Sequence, residues 1–167
     1  MRATAIATTA ILWLGGIAST ALLPIVNASV TCKGGDVSAH FTPRVKLLTG
    51  SIQITAAGYL GVCRSEESPN IKGGFYHFSG SGTGACIGPF AVGSGTLQIT
   101  WSDGSTTTVP QINFRAEATS WSIEGVLEGK SVRANGKPST PASKMTTRCL
   151  TSGLEDYASL IDSFVIE

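Results

Sequence analysis

Leu97-Gln98-Ile99-Thr100-Trp101-Ser102-Asp103-Gly104-Ser105-Thr106-Thr107-Thr108-Val109 is the stretch that decides the fold. Leu97, Ile99 and Trp101 share one face of an extended chain while Gln98 and Thr100 take the other, the period of two that a half-buried strand requires. Ser102-Asp103-Gly104-Ser105 supplies the turn, because Asp and Gly tolerate the positive φ of a tight hairpin. Thr106 to Val109 returns as a β-branched strand. Pro110, which has no N–H to donate, marks an edge or a bulge.

The same alternation recurs on both sides of this hairpin. Val37, Ala39 and Phe41 alternate with Ser38 and His40, and Pro43 closes that run. Ile52, Ile54 and Ala56 alternate with Gln53 and Thr55 and lead through Tyr59 to Cys63. Arg64 to Gly74 contains Pro69 and two terminal glycines and reads as a loop. Phe75 to Phe78 is a short aromatic strand. Ile112, Phe114, Ala116 and Ala118 alternate again, as do Trp121, Ile123 and Leu127 around Gly125, where a bulge is expected. Ala134-Asn135-Gly136-Lys137 carries a turn signal, followed by a Pro/Ser/Thr-rich connection to Lys144. Leu154, Tyr157, Leu160 or Ile161, and Phe164 fit a helical stripe, whereas Ser163 to Ile166 fits a closing strand. A strand is expected there, because the surrounding pattern is β. About eight short strands with regular turns predict an all-β protein, an antiparallel β-sandwich or a partly closed β-barrel.

The N-terminus has a different character. Met1-Arg2 precedes an apolar run from Ile6 to Ile17, no charge follows until Lys33, and Pro24 and Val26-Asn27-Ala28 complete the order of a secretory signal peptide. The expected division is a signal peptide over 1–28 and one secreted β domain over 29–167. A retained anchor is the alternative, since the uncharged stretch reaches the roughly 20 residues that span a bilayer. Thr31 before Cys32 does not fit a lipoprotein site, and the sequon Asn27-Ala28-Ser29 straddles the cleavage position. Of 12 basic and 11 acidic residues, removing Arg2 leaves eleven of each, so no net basic charge attracts nucleic acid or an anionic membrane.

Cys32, Cys63, Cys86 and Cys149 all follow the cleavage position, and an even count in an exported chain reads as two disulfides. Four cysteines allow three pairings, among which the sequence does not choose. A four-cysteine zinc site would need close C-x-x-C pairs, which are absent.

Cys32, then His40-Phe41-Thr42-Pro43, Gly61-Val62-Cys63, Gly80-Ser81-Gly82-Thr83-Gly84-Ala85-Cys86, Ile99-Thr100-Trp101-Ser102-Asp103-Gly104 and Arg148-Cys149-Leu150-Thr151-Ser152-Gly153-Leu154 form a familiar series. It resembles a group of small secreted two-disulfide β proteins of high-GC Gram-positive bacteria, generally without an assigned function. The resemblance covers most of the 29–167 segment. It implies a scaffold and transfers no catalytic residue.

The residues point away from chemistry. Only His40 and His77 serve as ordinary bases, no Gly-x-Ser-x-Gly elbow surrounds any serine, and no H-E-x-x-H occurs. The histidines have no nearby carboxylates in the chain. The neighbours Glu66-Glu67 and Glu155-Asp156 would face opposite sides of a strand. Gly80-x-Gly82-x-x-Ala85 matches a dinucleotide fingerprint in form only, because Cys86-Ile87-Gly88-Pro89 is a poor start for the helix that must receive the pyrophosphate. Neither a metal nor a cofactor is expected.

Recognition surfaces remain. Trp101 and Trp121 are in phase with Ile99 and Ile123 and are expected to be buried. Tyr76, set between Phe75 and Phe78, is expected to face outward, and aromatic rings with polar tips suit sugars or a protein partner. The loop after Cys63 adds Arg64, Glu66, Glu67 and Asn70 to this candidate binding surface, since a disulfide-anchored loop loses less entropy on binding. The expected protein is therefore a monomeric, extracellular, non-enzymatic binding or structural module. Its ligand is a polysaccharide or a protein, with no nucleic acid and no membrane once the signal is cleaved. A secreted hydrolase, or a protease-inhibitor-like protein using the loop after Cys63, is the alternative.

Overall fold

The computed structural model describes residues 28–167; the expected signal peptide, Ala28 apart, lies outside them. Eight strands and one helix follow one another as β1 (Val30–Val45), β2 (Gly50–Arg64), β3 (Gly74–Gly84), β4 (Ala91–Trp101), β5 (Thr106–Ala116), β6 (Trp121–Leu127), β7 (Lys130–Pro138), α1 (Ala142–Ser152) and β8 (Leu154–Ile166). Each strand pairs antiparallel with the next. β8 then pairs with β1, from Val30↔Ile166 to Val45↔Leu154, so the sheet closes into an up-and-down barrel without edges. Full closure goes beyond the sandwich or partly closed barrel of the sequence reading.

Alternation is what permits closure. Ala39, Phe41, Ile54, Phe78, Leu97, Ile99, Trp101, Val132, Tyr157, Ile161 and Phe164 point inward as one buried core. The intervening positions are mostly Ser, Thr, Gln and charged residues. This arrangement, apolar inside and polar outside, is the inverse of a lipid-facing barrel. Among the described residues no helix is long and apolar enough to cross a membrane.

Several local expectations are corrected. β1 does not end at Pro43: it continues through a cis Thr42–Pro43 bond to Val45, with a register shift against β8 between His40 and Val45. The shift opposite Pro110 is the expected bulge. Gly125 is in regular register on both sides, and it is small because a Cβ there would meet the Gln111 carbonyl oxygen and the Ile112 side chain at 2.6 Å. Asn135-Gly136 is no turn. Both lie inside β7, and the chain reverses instead at Glu128-Gly129, whose φ angles of 49° and 85° suit a two-residue hairpin.

The Pro/Ser/Thr-rich connection and the residues after it hold a helix, α1, that the β pattern does not announce. Pro141 precedes its first turn, and Met145 and Cys149, one helical turn apart, are its buried residues. Cys149 bonds to Cys86 and so ties α1 to the β3–β4 connection, while Cys32 bonds to its direct ladder partner Cys63. The closed loops span 31 and 63 residues, for which restricting the unfolded chain is worth about 4 kcal/mol each.

Two substitutions test the packing. Gly136→Ala places a Cβ against the Leu160 carbonyl oxygen and the Trp121 indole, and is expected to lower stability by about 3 kcal/mol in denaturant unfolding of the oxidised protein. Ser159 is buried and its Oγ has no hydrogen-bond partner among the described residues. Ser159→Ala is expected to raise stability by about 1 kcal/mol in the same measurement, because a desolvated, unpaired hydroxyl is removed.

Candidate functional site

An eight-stranded barrel leaves an interior that side chains just fill or that holds one small ligand. Here the filling is incomplete. A cavity of about 90 Å³ lies within the barrel. Phe41, Tyr76, Phe78, Phe114, Trp121 and Tyr157 form its aromatic walls, and Ala39, Ala56 and Ala134 provide the room. Phe78 and Phe114 meet edge to face at 5.4 Å, and Phe41 meets Tyr157 likewise at 6.4 Å, which fixes the rings that bound the space.

The polar tips of these rings are turned into the wall. Tyr76 Oη donates to the Asp36 carbonyl oxygen at 2.9 Å, Tyr157 Oη to that of Glu117 at 3.1 Å, and Trp121 Nε1 to that of Leu160 at 3.2 Å. Each bond satisfies a group that would otherwise be costly to bury. What remains facing the cavity is hydrocarbon. Burial, with a smaller contribution from the Asp36 charge at Tyr76 and the Glu117 charge at Tyr157, holds both phenols protonated well above the ordinary tyrosine range.

The candidate surface residues are not brought together. Tyr76 points into the barrel beside Phe78, and Phe75 is the ring that faces solvent, which corrects the expectation for this pair. Arg64, Glu66 and Asn70 are exposed at the barrel end. Glu67 pairs with Lys130 at 3.3 Å, and that ammonium, together with Ser29, holds its carboxyl below the usual carboxylate range. The loop itself is a compact turn: the Ile71 N–H donates to the Ser68 carbonyl oxygen, Ile71 is fully buried, and Ser102 Oγ accepts from the Lys72 N–H. Trp101 is buried as expected, with Nε1 donating to Thr107 Oγ1. Trp121 points inward but keeps partial exposure within the lumen.

His40 is not without carboxylates. Its Nδ1 lies 3.0 Å from Asp156 Oδ1 and its Nε2 4.0 Å from Glu155 Oε1, while Arg44 pairs with Glu155 and Arg148 with Asp156. The register shift after His40 lets neighbouring acids reach one partner instead of facing opposite sides. This network is solvent-exposed, and among the described residues no group of three or more His, Cys, Asp or Glu side chains is placed to hold a metal ion.

Fold and site together define a class: closed up-and-down antiparallel barrels with a small apolar lumen. No family model, no curated protein and no solved structure matches the chain.

The two wall-bound tyrosines set a pH dependence. Their folded-state ionisation is raised above the unfolded value of about 10, so the folded protein keeps protons that the unfolded chain releases. These two groups leave stability level from neutral pH to about pH 10, above which it is expected to fall, by up to about 1.4 kcal/mol per pH unit for each tyrosine. Denaturant midpoints measured from neutral to strongly alkaline pH check this, and Tyr157→Phe should make the fall shallower.

Proposed function

We propose that this protein is a secreted, non-enzymatic binding module that takes a small, uncharged apolar molecule into its barrel lumen. One observation carries the reading: the surface facing the cavity is almost all aromatic and aliphatic carbon, every ring's polar tip is bonded to backbone, and the guanidinium of Arg115, which borders the space, is exposed and paired with Glu117. An ion entering there would lose its hydration with no compensating partner, whereas an apolar molecule gains from leaving water. At about 90 Å³ the space is smaller than the roughly 150 Å³ engineered cavity that takes benzene, so the ligand is a short hydrocarbon or the apolar end of one.

Secretion is supported by the two disulfides and by the signal-like order of residues before Ser29. The hydrolase alternative gains no support from the lumen, whose lining has neither a carboxylate nor an imidazole side chain to move a proton. The inhibitor alternative gains none from the loop after Cys63, since a turn with a buried Ile71 does not offer an extended segment to a protease.

Titrating the isotope-labelled protein with a graded series of alkanes and arenes tests the reading. Saturable amide shifts centred on Ala56, Ile123 and Ala134 are expected for the smallest members. Ala56→Leu fills the space and should weaken binding at least tenfold, about 1.4 kcal/mol, while the rest of the spectrum keeps its dispersion. Absence of saturable shifts with the whole series, or undiminished binding in the filled variant, refutes it.

A further inference from the structure

The outside of the barrel is divided by charge. On β7, β8 and β1, charged residues recur along the wall, as in the pairs Lys137–Asp162, Arg133–Glu167 and Arg44–Glu155. The outward positions from Ser51 to Tyr59 on β2, Phe75 to Thr83 on β3 and Val92 to Thr100 on β4 contain no Asp, Glu, Lys or Arg. Their side chains are mostly short hydroxyls, with Gln53, His77 and Gln98 among them. Short hydroxyls form the middle of the face, where Ser79 lies between Thr55 and Thr96 in register and Ser81 follows between Gln53 and Ser94.

One end of this uncharged face carries two exposed rings. Tyr59 and Phe75 are ladder partners with centroids 5.4 Å apart, and they are 41% and 68% exposed. Neither ring is needed for the core, since both lie on the outer side of the sheet. His77 and Gln98, paired with each other one step further along, place polar groups next to them.

We infer that this face is a docking surface for a neutral polysaccharide chain lying along the strands. Charge selects the occupant: the three strands present no Asp, Glu, Lys or Arg over this face, and the carboxylate next to it, Asp36 opposite Tyr59 on β1, disfavours an anionic polymer. Sugar rings present C–H faces and hydroxyls in turn. Tyr59 and Phe75 offer apolar ring faces to the former, and Ser, Thr and Gln side chains both donate to and accept from the latter. The size fits the same choice. Nine residues of strand by three strands form a strip of roughly 26 by 14 Å in projection, a long, narrow shape that suits one linear chain. The surface is also convex and has its two apolar anchors at one end, not at the centre where protein hot spots cluster.

Co-sedimentation of the full chain with insoluble neutral polysaccharides (cellulose, mannan and a β-1,3-glucan) and with alginate as the charged comparison tests the inference. Retention on at least one neutral polymer and none on alginate is expected. Tyr59→Ala and Phe75→Ala should each weaken retention at least tenfold, and Ser81→Glu should do so by placing a charge at mid-face. Lys137→Ala, on the opposite wall, should change nothing. All these positions are exposed, and circular dichroism of each variant is the check that it folds. Retention confined to alginate, no retention at all, or retention indifferent to the three face variants overturns the proposal. So does a dimer seen by light scattering that Phe75→Ala dissociates, which would make a second copy the occupant. Alkane binding in the lumen is measured in the same face variants and is expected to be unchanged, so this proposal and the lumen reading fail separately.

Discussion

The hydrogen-bonded seam between β1 and β8 is the constraint on which the rest of the molecule depends. Once these strands pair, the sheet has no edge, and every second residue of eight strands must share one enclosed space of fixed girth. Large inward rings are then accommodated only where a neighbouring strand gives way. Trp121 lies over Gly136, Phe114 over Gly93 and Phe78 over Gly95, with the ring atoms 2.6, 2.8 and 2.7 Å from where a Cβ would stand. The glycines of β3, β4 and β7 are in this sense the counterparts of the aromatic residues beside them. The cavity is the volume that this exchange leaves unfilled.

What could be read in the chain was what depends on neighbours in sequence. The alternation of Leu97, Ile99 and Trp101 and the Asp103-Gly104 turn predict the β4–β5 hairpin, because strand period and turn conformation are local properties. Asn135-Gly136 misleads for the opposite reason. Gly136 is required by an indole arriving from β6 and a carbonyl oxygen on β8, and a turn-like dipeptide is its by-product. The real turn at Glu128-Gly129 carries little local signal, because Glu is an unusual residue at positive φ. α1 was hidden in a Pro/Ser/Thr-rich segment whose two buried residues are Met145 and Cys149, and it is held against the barrel largely by a disulfide that no local pattern announces. Tyr76 illustrates how parity is lost in an aromatic cluster. It shares a face with Phe78 two positions away, so taking Phe75 as the inward ring inverts the whole strand.

The candidate sites were less legible than the fold because each is a sum over distant strands. The lumen is apolar only because the hydroxyls of Tyr76 and Tyr157 reach carbonyls about 40 positions away in the chain. Net charge is similarly blind to placement. Near-equal numbers of acids and bases leave no overall field, yet the barrel gathers them on one wall and at its ends, and leaves β2 to β4 bare. The His40, Glu155 and Asp156 network appears only once a register shift beyond His40 lets neighbouring carboxylates turn to one side.

Closure also separates the two surfaces that these strands carry. Along β3, Tyr76 and Phe78 bound the lumen while Phe75, His77 and Ser79 face water, so adjacent residues belong to different chemical environments less than the thickness of one backbone apart. A change of size at an inward position alters the cavity without altering the outer face, and an outward charge alters the face without entering the lumen. Gly93, Gly95 and Gly136 escape this independence, because each lies against a neighbouring strand's backbone as well as the ring above it. A substitution at Gly93 or Gly95 would therefore disturb both surfaces at once, through the strand spacing that they share.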